Sequence, residues 1–160
     1  MYEKMYEKIL VPLDGSKVGE AALPYVEKLS DMFQPKIRIE IIILQVISDL
    51  THYVVAGEAS AAVPYNDKEL ELLKIKSLKY LQSIVREMKG KKRQYTVEVA
   101  FGNAASEIIN VAEKVNADLI AMSTHGRSGI TRWAFGSVTD RVLREGKRPV
   151  FMVRAPRGKD

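Results

Sequence analysis

Short strand-like runs alternate with stretches of helical periodicity along the whole chain. The strand-like runs are compact and apolar, β-branched or alternating, as expected of strands in a covered sheet; they span 9–13, 37–47, 95–101, 118–123 and 149–153. Between them, apolar residues recur at every third or fourth position, which is typical of helices with one face against a core; these stretches span 17–33, 70–88, 108–115 and 138–144. The pattern therefore predicts the element order β-α-β-α-β-α-β-α-β.

Local signals refine these limits. Pro24 falls inside the first predicted helix, where its missing N–H and its ring should bend the helix or weaken one turn. Asn66 with Glu69 three residues later is the pattern of a capping box and predicts the start of the second helix. The segment between Ser48 and Tyr65 fits neither period. It is long for a connection, and we expect it to form a lid or a binding loop.

The predicted order favours an α/β fold, with a parallel sheet and helices on both faces. Because crossovers between parallel strands are right-handed, a chain that winds one way through three strands and returns for two has the strand order 3-2-1-4-5. This is a doubly wound, Rossmann-like sheet of five strands. At 160 residues the chain has room for one such domain, which we expect to span residues 1–160.

Composition narrows the classes of function. With no cysteine and only two histidines, His52 and His125, the chain cannot form a disulfide scaffold, a thiolate metal site or a multi-histidine metal centre. No apolar run is long enough for a signal peptide or a membrane span, so we expect a cytoplasmic protein. The 25 basic and 20 acidic residues leave a net charge of +5, which is compatible with anionic partners but identifies none.

Two unusual turns follow the first and fourth predicted strands. The first spans residues 12–16 and contains Asp14; the second spans 123–129, is rich in glycine and hydroxylated residues, and leads to Gly136 and Ser137 at a helix start. In the order 3-2-1-4-5 these turns meet where the strand order reverses, and doubly wound sheets bind ligands there. Glycines let the backbone approach an anion, and a helix N-terminus offers free N–H groups. The two turns together predict a polyphosphate site.

Each of these residues also has a plainer interpretation. Asp14 could simply cap the next helix, as Ser16 could equally, although a carboxylate beside a phosphate site favours contact with sugar hydroxyls. Ser137 could merely cap the last helix. Arg127 could meet phosphates or be a surface charge, and His125 lacks a visible carboxylate partner for general-base catalysis. We therefore predict no catalytic residue and no metal-ligating residue.

Five segments carry a family resemblance: KILVPLDGS near the N-terminus, then IIILQV, ADLIAMSTHGRSG, FGSVTDRVL and RPVFMVR, in this order and at the right separations. Together they resemble the universal stress protein family over essentially the whole length of the chain. ATP-binding members of that family carry Gly-x-x-Gly, nine residues, and then Gly-Ser or Gly-Thr. Here the pattern falls on 123–126 and on Gly136-Ser137, so that Ser123 stands in place of the first glycine.

The resemblance implies a site for an adenine nucleotide. Pro12, Asp14 and Val46 would line its adenine and ribose end, with Asp14 on the ribose hydroxyls, and Met122 and Ser123 would follow the ribose. Backbone amides and one hydroxyl would hold the phosphates, in a loop and helix start that include Gly126, Arg127, Gly129, Gly136, Ser137 and Val138. The Ser123 hydroxymethyl group would stand where the backbone passes closest to the ribose. We therefore expect adjusted or weakened binding, which Ser123→Gly tightens or leaves unchanged.

The resemblance also implies a homodimer and a role in stress survival. Family members typically pair their last strands antiparallel, which here places the contact between Val150 and Val153. We expect a cytoplasmic ATP-binding switch protein, with Mg²⁺ or Mn²⁺ accompanying the triphosphate. Its nucleotide occupancy would change the surface that it offers to a protein partner.

Three other functions stay open. A slow ATPase or nucleotide transferase could use the same pocket, although no pair of general base and acid is apparent. A dimeric interaction module that has lost ATP binding is kept open by the substitution at Ser123. Binding of nucleic acid is favoured least, because the basic residues show no aromatic interleaving and no known recognition motif.

Overall fold

The computed structural model describes residues 8–32, 38–57, 59–88, 93–124 and 136–155. Five strands form one parallel sheet in the order β5-β2-β1-β6-β7. Counted along the chain, the strands of this sheet have the order 3-2-1-4-5, so the predicted α/β fold and strand order are confirmed. The elements are β1 (Lys8–Leu13), α1 (Lys17–Glu20), α2 (Leu23–Asp31), β2 (Ile39–Ile47), β3 (Thr51–Ala56), β4 (Ala59–Pro64), α3 (Asp67–Glu87), β5 (Arg93–Phe101), α4 (Ala104–Lys114), β6 (Leu119–Thr124), α5 (Ser137–Glu145) and β7 (Val150–Arg154).

The sheet is covered on both faces because its strands carry apolar side chains on both sides. On one side, Ile9 and Val11 of β1 pack with buried residues of α2 and α3; we call this the α2–α3 face. On the other side, Leu10 packs with buried residues of α4 and α5; we call this the α4–α5 face. Since successive side chains of a strand point to opposite faces, this assignment fixes the direction of every side chain that reaches the carboxyl edge.

The first predicted helix is broken rather than merely bent. Helix α1 ends at Glu20 and α2 begins at Leu23, so that Pro24 lies in the first turn of α2. Proline is well placed there, since the first N–H groups of a helix have no partner within it, whereas it could not continue a helix from α1. The expectation of one continuous helix over 17–33 is therefore corrected, and its end at residue 33 lies outside the described residues.

The capping box at the start of α3 is confirmed. The Glu69 backbone N–H donates to Asn66 Oδ1 at 3.0 Å, and the Asn66 backbone N–H donates to Glu69 Oε2 at 2.8 Å. These two bonds satisfy free donors of the first turn and set the helix start at Asp67.

The segment between Ser48 and Tyr65 forms an antiparallel hairpin and not the predicted loop. Strands β3 and β4 pair with each other in a sheet of their own, separate from the main sheet. Gly57 in the connecting turn has φ +65°, which tight hairpin turns require. The alternation that identifies a half-buried strand is missing here because neither side is covered: Tyr53 is 76% exposed and its neighbour Val54 is 46% exposed.

Candidate functional site

The pairing between the two central strands stops before their carboxyl ends. Strand β1 pairs with β2 along its whole length, but within these described strands it pairs with β6 only at Ile9–Leu119 and Leu10–Ile120. Residues 11–13 and 121–124 are not paired with each other, and we call this end of the two strands, where the strand order reverses, the crevice. This is the position that the sequence predicts for a ligand site.

One wall of the crevice is apolar. Met122 of β6 is buried in the cluster on the α4–α5 face, and the half-buried side chains of Val46 and Val138 pack against that cluster. Pro12 is half-buried and, by strand alternation, shares this face with Leu10. The structure therefore brings these four predicted residues to one side of the site.

Asp14 lies exposed in the turn after β1, and its carboxylate is held by Ser16. Its Oδ1 accepts a hydrogen bond from the Ser16 backbone N–H at 2.9 Å and another from the Ser16 hydroxyl at 2.6 Å. The cap of α1 is Ser16, whose hydroxyl accepts from the Gly19 N–H at 3.0 Å. The interpretation of Asp14 as a helix cap is therefore wrong. Asp14 instead offers an oriented carboxylate at the mouth of the crevice.

Ser123 points away from the apolar wall. Strand alternation places its side chain on the α2–α3 face, opposite to Met122. Its hydroxyl accepts a hydrogen bond from the Ala22 N–H and donates one to the Gly19 carbonyl, both at 2.9 Å. We expected this hydroxymethyl group to face the ribose. In the structure the Ser123 side chain points toward α1 instead, because of its position in the register of β6.

Among the described residues, no side chain caps the N-terminus of α5. Its N-cap residue is Gly136, and Ser137 is the first residue of the helix, so the interpretation of Ser137 as the cap is wrong. Gly136 is exposed, and among the described residues no atom lies within 4 Å of the position that a Cβ would take there. The first N–H groups of α5 have no acceptor within the helix and lie at the positive end of its dipole, which suits an anion.

The loop between β6 and α5 supplies the remaining predicted residues. His125, Gly126, Arg127 and Gly129 lie outside the described residues, so their contacts stay predictions.

Gln45 is a site residue that the sequence analysis missed. It lies near the end of β2, and its Oε1 is buried with no hydrogen-bond partner among the described residues. Its Nε2 lies 3.6 Å from where a Cβ on Gly15 would be, and Gly15 has φ +85°. The amide therefore lies close to the Gly15 position of the turn that carries Asp14. The signal was available, because Gln45 is a polar residue inside the otherwise apolar run IIILQVI.

A second missed feature ties α3 to α1. The Tyr80 hydroxyl of α3 donates to Glu20 Oε1 at 3.1 Å, and Glu20 Oε2 also accepts from Lys17 Nζ at 2.7 Å. Burial of the phenol, together with the negative charge of Glu20 beside it, raises the pKa of Tyr80 well above its usual range. Tyr80 is therefore a neutral donor that holds the short helix α1 through Glu20.

The described part of the chain contains no group of three His, Asp or Glu residues placed to hold a metal ion. Among the helices of the same residues, none has the length and apolar character needed to cross a bilayer.

Comparison with known proteins identifies the family. The model of the universal stress protein family matches residues 5–154, and the chain therefore belongs to this family. Universal stress protein MJ0531 of Methanocaldococcus jannaschii is 31% identical over 158 residues, covering 97% of this chain and 86% of that protein.

Solved structures show the same fold. The structure of protein MJ0577 of M. jannaschii superposes with a TM-score of 0.69 at 24% identity, covering 97% of this chain and all of that one. A universal stress protein in complex with cAMP has a TM-score of 0.59 at 18% identity and covers 94% of this chain and 98% of its own. One from Archaeoglobus fulgidus in complex with dAMP has a TM-score of 0.58 at 16% identity, covering 93% of this chain and 98% of its own.

Proposed function

We propose that this protein is a cytoplasmic ATP-binding switch protein of the stress response. The observation that carries the proposal is the crevice between β1 and β6, with the oriented Asp14 carboxylate on one side and the N-terminus of α5 on the other. A carboxylate and a helix N-terminus are the two groups that nucleotide-binding sheets use for ribose and phosphate. Two structures of the same fold are complexes with adenine nucleotides, cAMP and dAMP, which supports this choice of ligand.

The residues are assigned from the family resemblance, and those that the structure describes also from their positions along β1, β2, β6 and α5. The adenine packs against the apolar wall, and Asp14 accepts from the ribose hydroxyls. Ser123 follows the ribose through its backbone. The phosphates lie at the start of α5, where N–H groups and the Ser137 hydroxyl donate to them. The residues assigned to the wall are Pro12, Val46 and Met122, and those assigned to the phosphates are Gly126, Arg127, Gly129, Gly136, Ser137 and Val138. Mg²⁺ or Mn²⁺ enters with the phosphates and is held mainly by their oxygens.

The switch follows from the position of the site. A ligand shifts a conformational equilibrium only by binding one conformation better than another. Bound ATP contacts both the turn after β1 and the start of α5, so it favours conformations in which these two elements stand close together. The surface around the crevice then differs between the free and the bound protein, and we infer that a protein partner reads this difference.

Titration calorimetry with ATP, AMP and GTP, with and without Mg²⁺, tests the proposal. We expect heat with the adenine nucleotides and none with GTP. Mass spectrometry of the denatured purified protein should show co-purified adenine nucleotide. Absence of both heat and a thermal shift at millimolar ATP would leave a dimeric interaction module as the function. Phosphate release with turnover would instead favour a slow ATPase.

A further inference from the structure

We propose that Ser123 is a positioning residue that connects the start of the β6–α5 loop to the Asp14 carboxylate, and so sets how well the protein recognises a ribose. This role rests on the proposed nucleotide binding, since it concerns the ribose end of the same site. The observation behind the positioning role does not depend on nucleotide binding: the Ser123 hydroxyl makes two hydrogen bonds to a segment about a hundred residues away in the chain.

The break between α1 and α2 creates the need for such a hydroxyl. Where a helix ends, its last carbonyls and the N–H groups of the next helix lose their intrahelical partners. Here the Gly19 carbonyl and the Ala22 N–H lie on either side of the break. A serine hydroxyl can donate one hydrogen bond and accept others, so Ser123 satisfies both groups at once. Glycine, which the family pattern has at this position, could satisfy neither.

A continuous chain of hydrogen bonds leads from Ser123 to Asp14. Ser123 holds the Gly19 carbonyl, the Gly19 N–H donates to the Ser16 hydroxyl, and that hydroxyl donates to Asp14 Oδ1. Gly19 also packs closely against the Asp14 carboxylate, since a Cβ on Gly19 would lie only 2.5 Å from Asp14 Oδ1. A shift of the Gly19 backbone therefore moves the carboxylate that we assign to the ribose.

The connection spans the crevice. Ser123 lies in the part of β6 that pairs with β7 but not with β1, one residue before the strand ends, whereas Asp14 follows β1. Removing the hydroxyl would remove the two hydrogen bonds from β6 to Gly19 and Ala22, so the backbone that positions Ser16 and Asp14 would be held less firmly. The loss should therefore fall on recognition of the ribose hydroxyls. The positioning role also changes the expectation for Ser123→Gly: this substitution should weaken ATP binding rather than tighten it or leave it unchanged.

The test compares ATP with 2′,3′-dideoxy-ATP, which lacks the groups that Asp14 would accept from. In Ser123→Ala, we expect ATP affinity to fall about three- to tenfold, the effect of losing one hydrogen bond between Asp14 and the ribose, with little change for the dideoxy nucleotide. Ser123→Thr keeps a hydroxyl and should retain the preference for ATP. Ser83→Ala is the matched control, because the half-buried Ser83 hydroxyl bonds only within its own helix, to the Tyr80 carbonyl.

A double-mutant cycle separates this role from general stabilisation. If Ser123 acts through Asp14, Ser123→Ala should have almost no further effect on ATP affinity in an Asp14→Ala background, which has no ribose acceptor left to position. Additive losses, or equal losses for ATP and its dideoxy analogue, would overturn the positioning role and leave the proposed function intact. Failure of the wild-type protein to bind ATP would overturn both.

A measurement on the wild-type protein covers the case in which the variants do not fold. The Ala22 amide should be protected from hydrogen exchange, and ATP should increase that protection. Exchange of the Ala22 amide at the rate of an exposed amide would contradict the hydrogen bond to Ser123, and with it the proposal.

Discussion

At the residue scale, Gly136 and Asp14 contribute to nucleotide binding in different ways. No described residue occupies the position of a Gly136 side chain, and the phosphates are assigned to this point. Gly136→Val fills that space with a branched side chain, and we expect it to weaken ATP binding more than tenfold, or about 1.4 kcal/mol. Asp14→Asn keeps one acceptor for the ribose and should cost less. Titration calorimetry on both variants measures the difference.

A control must show that Gly136→Val changes ATP binding and not the fold. Because no described atom lies within 4 Å of the Gly136 Cβ position and its φ of −55° suits any residue, Gly136→Val should keep the wild-type circular dichroism spectrum. ATP affinity equal to that of the wild type in this variant would mean that the start of α5 does not bind the phosphates.

Gly19 allows Asp14 to be displaced without being changed. Gly19→Ala places a Cβ 2.5 Å from Asp14 Oδ1, so the carboxylate must move. Alanine is otherwise preferred to glycine in a helix by roughly 1 kcal/mol, and this preference offsets part of the free energy of unfolding that the close contact costs. We expect ATP affinity to fall about as far as in Asp14→Asn, while the melting temperature changes little. A variant that binds ATP like the wild type would show that the position of Asp14 is unimportant.

At the scale of elements, the four-residue helix α1 is too short to be stable by itself and is held by side chains of its neighbours. Tyr80→Phe removes one of these contacts and leaves Glu20 without its phenol donor. We expect a loss of about 1 kcal/mol in the free energy of unfolding. Chemical denaturation should show it, with Tyr25→Phe as a control, since that side chain is 48% exposed. Equal stability of the two variants would contradict the tethering of α1 by Tyr80.

The pH dependence of this difference has a definite sign. The folded protein raises the pKa of Tyr80 above its unfolded value near 10, because burial and Glu20 both disfavour the phenolate. The contribution of the phenol to stability is therefore complete below pH 10 and is lost as the pH rises toward the raised pKa. The stability difference between wild type and Tyr80→Phe should stay constant through neutral pH and shrink only in strongly alkaline solution.

The elements that could be predicted from the sequence are those with one periodicity and a covered surface. The five strands of the main sheet and the capping box at Asn66 are of this kind. The strand order then followed from right-handed crossovers, given a chain that winds one way through three strands and returns for two. The hairpin had no such signal, because both of its sides are exposed. The direction of Ser123 depends on the register of β6 against its neighbours, which a single sequence does not contain.

At the scale of the whole molecule, β7 is an edge strand of the sheet, as the predicted dimer requires. Antiparallel pairing of two identical edges is isologous and closes at two subunits. Met152→Lys would bring like charges together near the two-fold axis, so we expect monomers by light scattering. Leu72→Lys, at a position 66% exposed on α3, is the control and should stay dimeric. A Met152→Lys dimer at micromolar concentration would place the contact elsewhere.

The hairpin of β3 and β4 is a segment whose replacement by another sequence we expect the fold to tolerate. Its two ends meet, since the Tyr65 N–H donates to the Leu50 carbonyl at 3.0 Å, and its strands belong to a sheet of their own. A segment of this kind can be replaced by a tight turn, or by a foreign peptide with neighbouring ends, without altering any pairing of the main sheet. For an engineer the hairpin is a grafting position, and in evolution it is a place where relatives can diverge in length while the core stays constant.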